Sequence, residues 1–598
     1  MANFWAQLLI ALFEAANDWR FSNEVNVIEG PAGKLTIRRR NQFDQDRKLM
    51  SVVVEDDHSS LTVYVKGAPE SISSRCSKNL NQTILQEGHK LAAEGCYVLG
   101  VAKKTVALAQ LEQSRDEMEH DLTFLGLIVF RNELKRDAEH AIKELKAGSV
   151  RCVMITGDNA PCGAFIARQA GLVESGKKLL TGSRVKKRSD IEWCDESTSN
   201  VKFKSTSELM ADAEFQQNNY ELVVNGEALD ILNETGELYR ILRKIRVFAR
   251  MTPNQKVQVV HAFMEGPDGV VCAMAGDGGN DSGALRAAHV GLSMSAAEAS
   301  IVAPFSSGDG TVFSCVDLII EGRAALATSL ASFKVLIVYG LLFSLANICS
   351  FYYAVLLPLL AFIMLAFLAL VPMTFLMTLS KPLKHLGQKR PTSSLMGVQT
   401  VSSLAGFYLI SLVTTLINLN VMESDENYVR WPSYVANTAA WWYLADNWEA
   451  TVIFETVFPL FLISGFAFSF GSGFRENVLK NIWLMLFLLT SFLISTFILV
   501  LPPTNLSVQF HIANEQFNRN HSENPIWQAY QAQGGEPSPA MSSSLRLLIW
   551  LLTVIAMLTI CLWERFVVHG PGGRYLKQCY LRKCTRKKVL RYEEFDSF

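Results

Sequence analysis

Two patterns of apolar residues divide the chain. Up to about Thr311, short apolar runs alternate with charged segments; from about Ala324 onward, long apolar runs dominate, more than a soluble core of that size can hold. In the first part, Leu122–Phe130, Val150–Asp158, Arg246–Arg250, Val270–Gly278 and Val290–Met294 are near-continuous apolar runs of strand length. Between several of them lie DAEHAIKELKAG, APCGAFIARQAGL and NQKVQVVHAFM, whose apolar positions recur at helical spacing. This alternation predicts an α/β unit with a doubly wound parallel sheet, whose ligands sit beyond the carboxyl ends of the strands.

The second part is tested against the roughly 20 residues needed to cross a bilayer. Six runs qualify: Leu326–Ser350, Phe351–Leu379, Val401–Met422, Val452–Phe470, Asn481–Leu501 and Leu545–Trp563. The first two meet at the short turn FYYAVLLP and are counted separately. Basic residues crowd Ser380–Thr392, Gly473–Lys480 and the tail Leu576–Arg591, which places these segments, and both termini, in the cytosol. Met422–Ala450 and Pro502–Ser544, the latter with glycosylation sequons at Asn505 and Asn520, then face a lumen or the exterior. The opening MANFWAQLLIALF lacks a basic n-region and a small-residue cleavage site, so it reads as an amphipathic helix rather than a leader.

Composition changes the picture only by exclusion. The 598 residues carry 56 Lys+Arg against 57 Asp+Glu, so no global electrostatic case for nucleic acid exists. The eleven cysteines form no CxxC pair, which argues against a disulfide scaffold or a zinc cluster.

Candidate chemistry lies at the ends of the predicted strands. In ITGDN, Thr156 offers a hydroxyl, Gly157 lets an oxyanion approach the backbone, and a helix beginning after Asp158 presents amide groups. In GDGGND, Asp277 and Asp281 can give Mg²⁺ hard oxygen ligands and Asn280 a supporting amide. In MTPNQK, Lys256 stands at a helix start, where an ammonium can neutralise phosphoryl charge as it develops. Any one of these could be a surface turn; three in this order, each after a strand, point to phosphate chemistry.

The order KGAPE (Lys66–Glu70), TGDN (Thr156–Asn159), FARMTPNQK (Phe248–Lys256), GDGGND (Gly276–Asp281) and six apolar helices resembles the back half of P-type ATPases over essentially the whole chain. LGLIVFRNELK (Leu125–Lys135) and GALRAAHVGLSMSAAEASIVAPF (Gly283–Phe305) are most similar to type V, in the branch associated with polyamine export from late endosomes and lysosomes. The resemblance implies a partial nucleotide-binding domain at 1–121, an incomplete HAD-like phosphorylation domain at 122–323, six transmembrane helices at 324–569 and a basic cytosolic tail at 570–598. It implies ATP as substrate and Mg²⁺ as cofactor, with Phe43 stacking on adenine and Lys66, Gly67 and Arg250 at the nucleotide. Thr156, Gly157, Asp158 and Lys256 would form the catalytic set. The implied partners are ATP, membrane lipid and a cationic substrate, either a polyamine or a metal ion.

In the family the γ-phosphoryl passes to an aspartate in a DKTGT stretch, and no DKTG occurs in these 598 residues. The resemblance places that stretch, the actuator domain and the first membrane helices upstream. Three expectations follow. The chain by itself does not turn over ATP; the sheet exposes strand edges and an apolar seam where the nucleophile strand belongs; and a separate chain could carry the missing front half. Gly279 and His289 depart from the family's usual Ala or Thr and Asp. The second membrane run, LLPLLAFIMLAFLALVPMTFLM, has no Asp or Glu, which weakens the polyamine assignment. The polar groups left for a transport path are Tyr339 and Asn347 in the first run and Glu455 at the start of the fourth, with Pro358 and Pro372 as breaks in the second; Lys334 reads as a snorkelling side chain. Two other readings stand beside the pump: a non-catalytic partner half of a split pump, and a membrane-tethered HAD-type phosphatase. The latter needs a DxD at the end of the first strand, and LTFLGLIVF ends in none.

Overall fold

The computed structural model describes residues 20–22, 27–30, 33–44, 47–77, 86–88, 90–91, 96–107, 114–131, 134–185, 190–196, 200–266, 269–276, 279–294, 303–392, 394–432, 434–435, 443–470, 473–500, 509–513, 524–536, 539–573 and 575. The chain divides into two compact units between Asp317 and Leu318. The N-terminal MANF stretch, Asp277, both sequons and the tail Leu576–Arg591 lie outside the described residues.

The first unit opens with a seven-stranded sheet in simple sequence order. Its strands are β1 (Arg20–Ser22), β2 (Val27–Gly30), β3 (Gly33–Asp44), β4 (Leu49–Glu55), β5 (Leu61–Gly67), β6 (Cys96–Val106) and β7 (Thr123–Arg131). Burial along β5 alternates strictly, and Val53, Val63, Val65 and Ala102 close the core on one face. Helix α1 (Pro69–Ser73) follows β5 directly. The run Leu122–Phe130 was expected in the parallel sheet; it becomes β7 and pairs antiparallel with β6, from Cys96↔Arg131 to Lys103↔Thr123. An apolar run marks a strand but not its partner, and here the neighbouring meander edge takes it.

The parallel strands follow, in two sheets. A six-stranded sheet has the order β11-β10-β9-β12-β13-β8, where β8 is Met154–Ile155, β9 Lys178–Arg184, β10 Ile191–Asp195, β11 Val201–Phe203, β12 Tyr220–Asn225 and β13 Ile245–Ala249. Strands β9, β12, β13 and β8 run parallel, while β10 and β11 add antiparallel. The other sheet is β14 (Ala273–Gly276), β15 (Val290–Ser293) and β16 (Phe305–Ser306), all parallel. The helices read from the sequence form as α2 (Ala138–Ala147), α3 (Ala160–Gln169) and α4 (Pro253–Glu265), with the short α5 (Ser282–Ala287) after the second loop. Sequence reading missed β9 and β12. Among the described residues β8 pairs only with β13 and β14 only with β15, and Val271, just before β14, is 75% exposed.

Among the described residues six helices are long and apolar enough to cross a membrane: α6 (Ser314–Tyr353), which begins four residues before the second unit, α7 (Leu359–Thr378), α8 (Val398–Glu423), α9 (Trp448–Ala467), α10 (Ile482–Val500) and α11 (Ser543–Val568). The first two are distinct. Ala354 turns with a φ of 54°, and Leu356 N–H leaves the helix for Leu444 O at 3.1 Å. Pro358 does not break α7; it stands at its N-cap, where a missing N–H costs nothing. Pro372 does sit inside the span, two positions past seven residues of π winding at Met364–Leu370, the looser coil that accommodates a ring with no amide to donate. Helix α9 is the central element, with every residue from Trp448 to Leu462 buried.

Lys334 does not snorkel. Its ammonium lies 2.7 Å from Glu564 Oε1 and 3.0 Å from Ser403 Oγ, over the Phe468 ring, and Ser403 donates to Glu564 Oε2 at 2.7 Å. The partner carboxylate is 230 positions away, which a hydropathy window cannot reveal.

Candidate functional site

The TGDN loop begins where β8 ends. Thr156 N–H still bonds Phe248 O on β13 (2.8 Å), after which the chain turns: Asp158 N–H bonds Thr156 Oγ1 at 3.1 Å, and that hydroxyl donates to Asp158 Oδ2 at 3.0 Å. Asn159 then caps α3 by accepting from Cys162 N–H at 2.9 Å. Because Pro161 has no amide and Gly163 N–H bonds Asn159 O, the fan of amides expected from the first turn of α3 narrows to Ala160. A Cβ on Gly157 would meet nothing within 4 Å, so the loop is open to an incoming group there. Cys162 is no nucleophile: burial, with the nearby Asp158 charge adding to it, pushes its thiol up to about 12.

The segment after β13 is locked to this loop. Arg250 N–H donates to Asp158 O at 2.7 Å and Met251 N–H to Thr156 O at 3.0 Å. Arg250 adopts a φ of 54°, a left-handed conformation that costs a non-glycine residue of order 1 kcal/mol, and which aims its amide at the neighbouring turn. Its guanidinium is taken by Glu70 of KGAPE, at 2.9 and 3.0 Å from the two carboxylate oxygens.

Thr252 and Gln255 then form a reciprocal capping box with Pro253 behind the cap, the sequence signature of a helix start. That start fixes Lys256 in the first turn of α4. Lys256 Nζ bonds Asp281 Oδ1 at 2.6 Å, both side chains being nearly buried. A Cβ on Gly276 would come within 2.8 Å of Asp281 Oδ2, so glycine at the end of β14 makes room for that carboxylate. The Arg250–Lys256 segment is thus the hub that ties KGAPE, TGDN and GDGGND together.

On the meander, Gly67 is required by close approach: a Cβ there would stand 2.4 Å from Lys48 O. Lys66 is half-buried, and desolvation pulls its ammonium below the usual lysine range. Phe43, on β3, is 40% exposed, a ring that faces solvent rather than the core. Asn280 is half-buried in the turn Gly279–Asp281. His289 accepts Cys272 N–H on Nδ1 at 3.2 Å.

Among the described residues no group of three or more His, Cys, Asp or Glu stands together as a metal site. Asp281 fits Mg²⁺ poorly as a direct ligand, since one oxygen is held by Lys256 and the other lies where a Cβ on Gly276 would stand; it fits a supporting place. Of the transport-path candidates, Asn347 donates to Phe343 O in its own helix at 2.9 Å, and Glu455 lies not at the start of its span but within it, fully inside the bundle.

Comparison with known proteins matches residues 10–137 to the model of P-type ATPase cytoplasmic domain N. The cation-transporting ATPase catp-5 of Caenorhabditis elegans is 30% identical over 471 residues, covering 75% of this chain and 38% of that protein. Over most of its length the chain is similar to P-type ATPases of type V. The vacuolar cation-transporting ATPase YPK9 of Saccharomyces cerevisiae is 29% identical over 472 residues, 75% of this chain and 32% of its own. The human polyamine-transporting ATPase 13A3 is 28% identical over 534 residues, 80% of this chain and 42% of its own. The chain therefore spans between about a third and two fifths of the P-type ATPases it matches. The matched domain includes the whole of β7, in keeping with its place in the meander.

Proposed function

We propose that this chain supplies the nucleotide-binding, phosphate-handling and membrane parts of an ATP-driven cation transporter that works through an aspartyl-phosphate. The observation that carries the reading is the hub at Arg250–Lys256, which brings four separated phosphate-type loops into one bonded cluster. In it Phe43 stacks the base, and Lys66, Gly67 and Arg250 hold the nucleotide. Thr156 and the open backbone at Gly157 receive the phosphoryl oxygens, Asp158 orients the Thr156 hydroxyl, and Lys256, positioned by Asp281, neutralises charge that develops in transfer. Mg²⁺, when bound at Asp277 with Asn280 in support, would screen the phosphate charges.

The accepting aspartate is not among these motifs. The one-sided pairing of β8 and β14 and the exposure of Val271 favour a strand from another segment, in the same chain or a partner, completing the site. The transported species is a cation; the acid-free α7 leaves a polyamine and a metal ion both open. An endomembrane location, late endosome or lysosome, with cytosolic termini goes with this reading.

Acid-stable labelling from γ-³²P-ATP tests it, run on this chain alone and mixed with a segment carrying a DKTGT strand. Label in the mixture only, lost in Lys256→Met, supports the proposal. Label on the chain alone would place the nucleophile within it, and failure to bind ATP in either case would refute the reading.

A further inference from the structure

The bundle interior holds several buried acids that nothing in the phosphate chemistry uses, Glu455 among them. Glu455, in the second turn of α9, is 2% exposed. Its Oε2 accepts a hydrogen bond from Ser495 Oγ of α10 at 2.9 Å, while its Oε1 is buried without a partner. Four residues on stands Pro459, the one proline inside α9. A proline has no N–H, so the Glu455 carbonyl loses its helical donor. One residue thus offers an unpartnered carboxylate oxygen and a carbonyl without its usual helical donor, both in a buried part of the bundle.

The next residue repeats the pattern. Thr456 Oγ1 accepts from Asn418 Nδ2 of α8 at 2.8 Å, the same amide reaches Thr553 Oγ1 of α11 at 3.1 Å, and Asn418 Oδ1 has no partner.

Among the described residues no positively charged side chain bonds Glu455. Of the helices packed on α9, α7 and α10 carry no charged residue. Helix α8 carries only Glu423, held by Tyr353 at its far end. Helix α11 carries Arg546, whose guanidinium donates to Leu499 O and Ser543 Oγ, and, in its π-wound end, Glu564 with Lys334 and Arg565 beyond. At the start of α9, Glu449 is held by Tyr428 and Trp431 N–H, and Asp446 by His511 and Asn524. None of these bonds Glu455.

A bare carboxylate with a single hydroxyl donor is among the most costly groups to leave in a membrane interior. It must be neutralised. A metal ion asks for roughly six oxygens in its shell, and the site presents one carboxylate, one carbonyl and one hydroxyl. A proton asks for none of that. We propose that Glu455 is an intramembrane proton-binding site, a carboxylic acid held by Ser495 and set beside the backbone break at Pro459. The proposal needs only that α9 lies inside a bilayer and stands apart from the ATP reading.

Infrared spectroscopy on the full chain in lipid nanodiscs, with Glu455→Gln and Ser495→Ala variants, tests it. At neutral pH the wild type should show a protonated-carboxyl band that disappears in Glu455→Gln. In Ser495→Ala the band should persist and move to higher frequency, because the carbonyl loses its hydrogen bond; this arm identifies Glu455 even where the glutamine variant fails to fold. A band that neither variant alters belongs to another acid and overturns the proposal. So does a neutral-pH spectrum without the band, or a band that appears only after Na⁺, K⁺ and Mg²⁺ are removed, which would make the occupant a metal cation.

Discussion

Two buried lysines meet two buried carboxylates in this chain, at nearly equal distance and in unlike surroundings. Lys256 lies 2.6 Å from Asp281 where loops leave parallel strands; Lys334 lies 2.7 Å from Glu564 among apolar helices, with Ser403 and the Phe468 ring completing its shell. The first pair joins the first turn of α4 to the turn that follows β14. The second is closed, its carboxylate also touched by His569 Nε2 at 3.4 Å. A buried ion pair need not add net stability, but removing one partner leaves an uncompensated charge. The pairs therefore share physics and differ in setting: one joins two loop-proximal turns beside parallel strands, the other fastens three helices.

The largest effect separates them. Glu564→Gln should strip Lys334 of its counter-charge and lower stability by about 3–5 kcal/mol, read by thermal unfolding in detergent, and a second change, Lys334→Met, should restore much of the loss. Lys256→Met should act mainly on chemistry: in an ATPase assembled with its aspartate, phosphoenzyme formation should fall roughly 10²–10³-fold. If instead Lys256→Met merely unfolds the protein while phosphorylation per folded molecule is unchanged, the contrast between the pairs collapses.

Smaller changes sharpen it. Thr252→Ala removes the cap that holds the first turn of α4, and with it Lys256, and should cost about 1 kcal/mol without abolishing phosphorylation. The third pair, His511 with Asp446, has a cation that can titrate. Hydrogen bonding to Asp446 raises the His511 pKa above its ordinary value, so its stabilisation is complete below about 6.5 and disappears as pH climbs through the raised value. Melting curves of wild type and His511→Gln should diverge in acid and converge in alkali, whereas Lys334→Met should show no such convergence near neutrality.

Much of the phosphate region was legible because its determinants are local. The capping box at Thr252, the turns in TGDN and GDGGND and the helical period of NQKVQVVHAFM all lie within a few residues. The partner of Lys256 is 25 positions away but sits in another recognisable loop. What escaped was pairing. Leu122–Phe130 reads as a strand in any sheet, and only alignment with β6 shows that it closes the meander. Strands β9 and β12 escaped for a related reason, since β12 offers only a short apolar core, LVV, between polar residues. The contact of Asp281 with Lys256 also escaped, because it depends on Gly276 leaving room for the carboxylate beside the strand.

In the membrane half, length and hydropathy alone determined the number and approximate bounds of the six spans, since apolar backbone of that length has one stable solution in a bilayer. Hydropathy is a property of one segment at a time. It could not show that Lys334 is paired rather than snorkelling, that Pro358 begins a helix instead of breaking one, or that Glu455 is enclosed by α8, α10 and α11. Those were decided by tertiary structure, because the energy of a buried charge depends on which atoms surround it, and in this chain those atoms come from helices up to 230 residues apart.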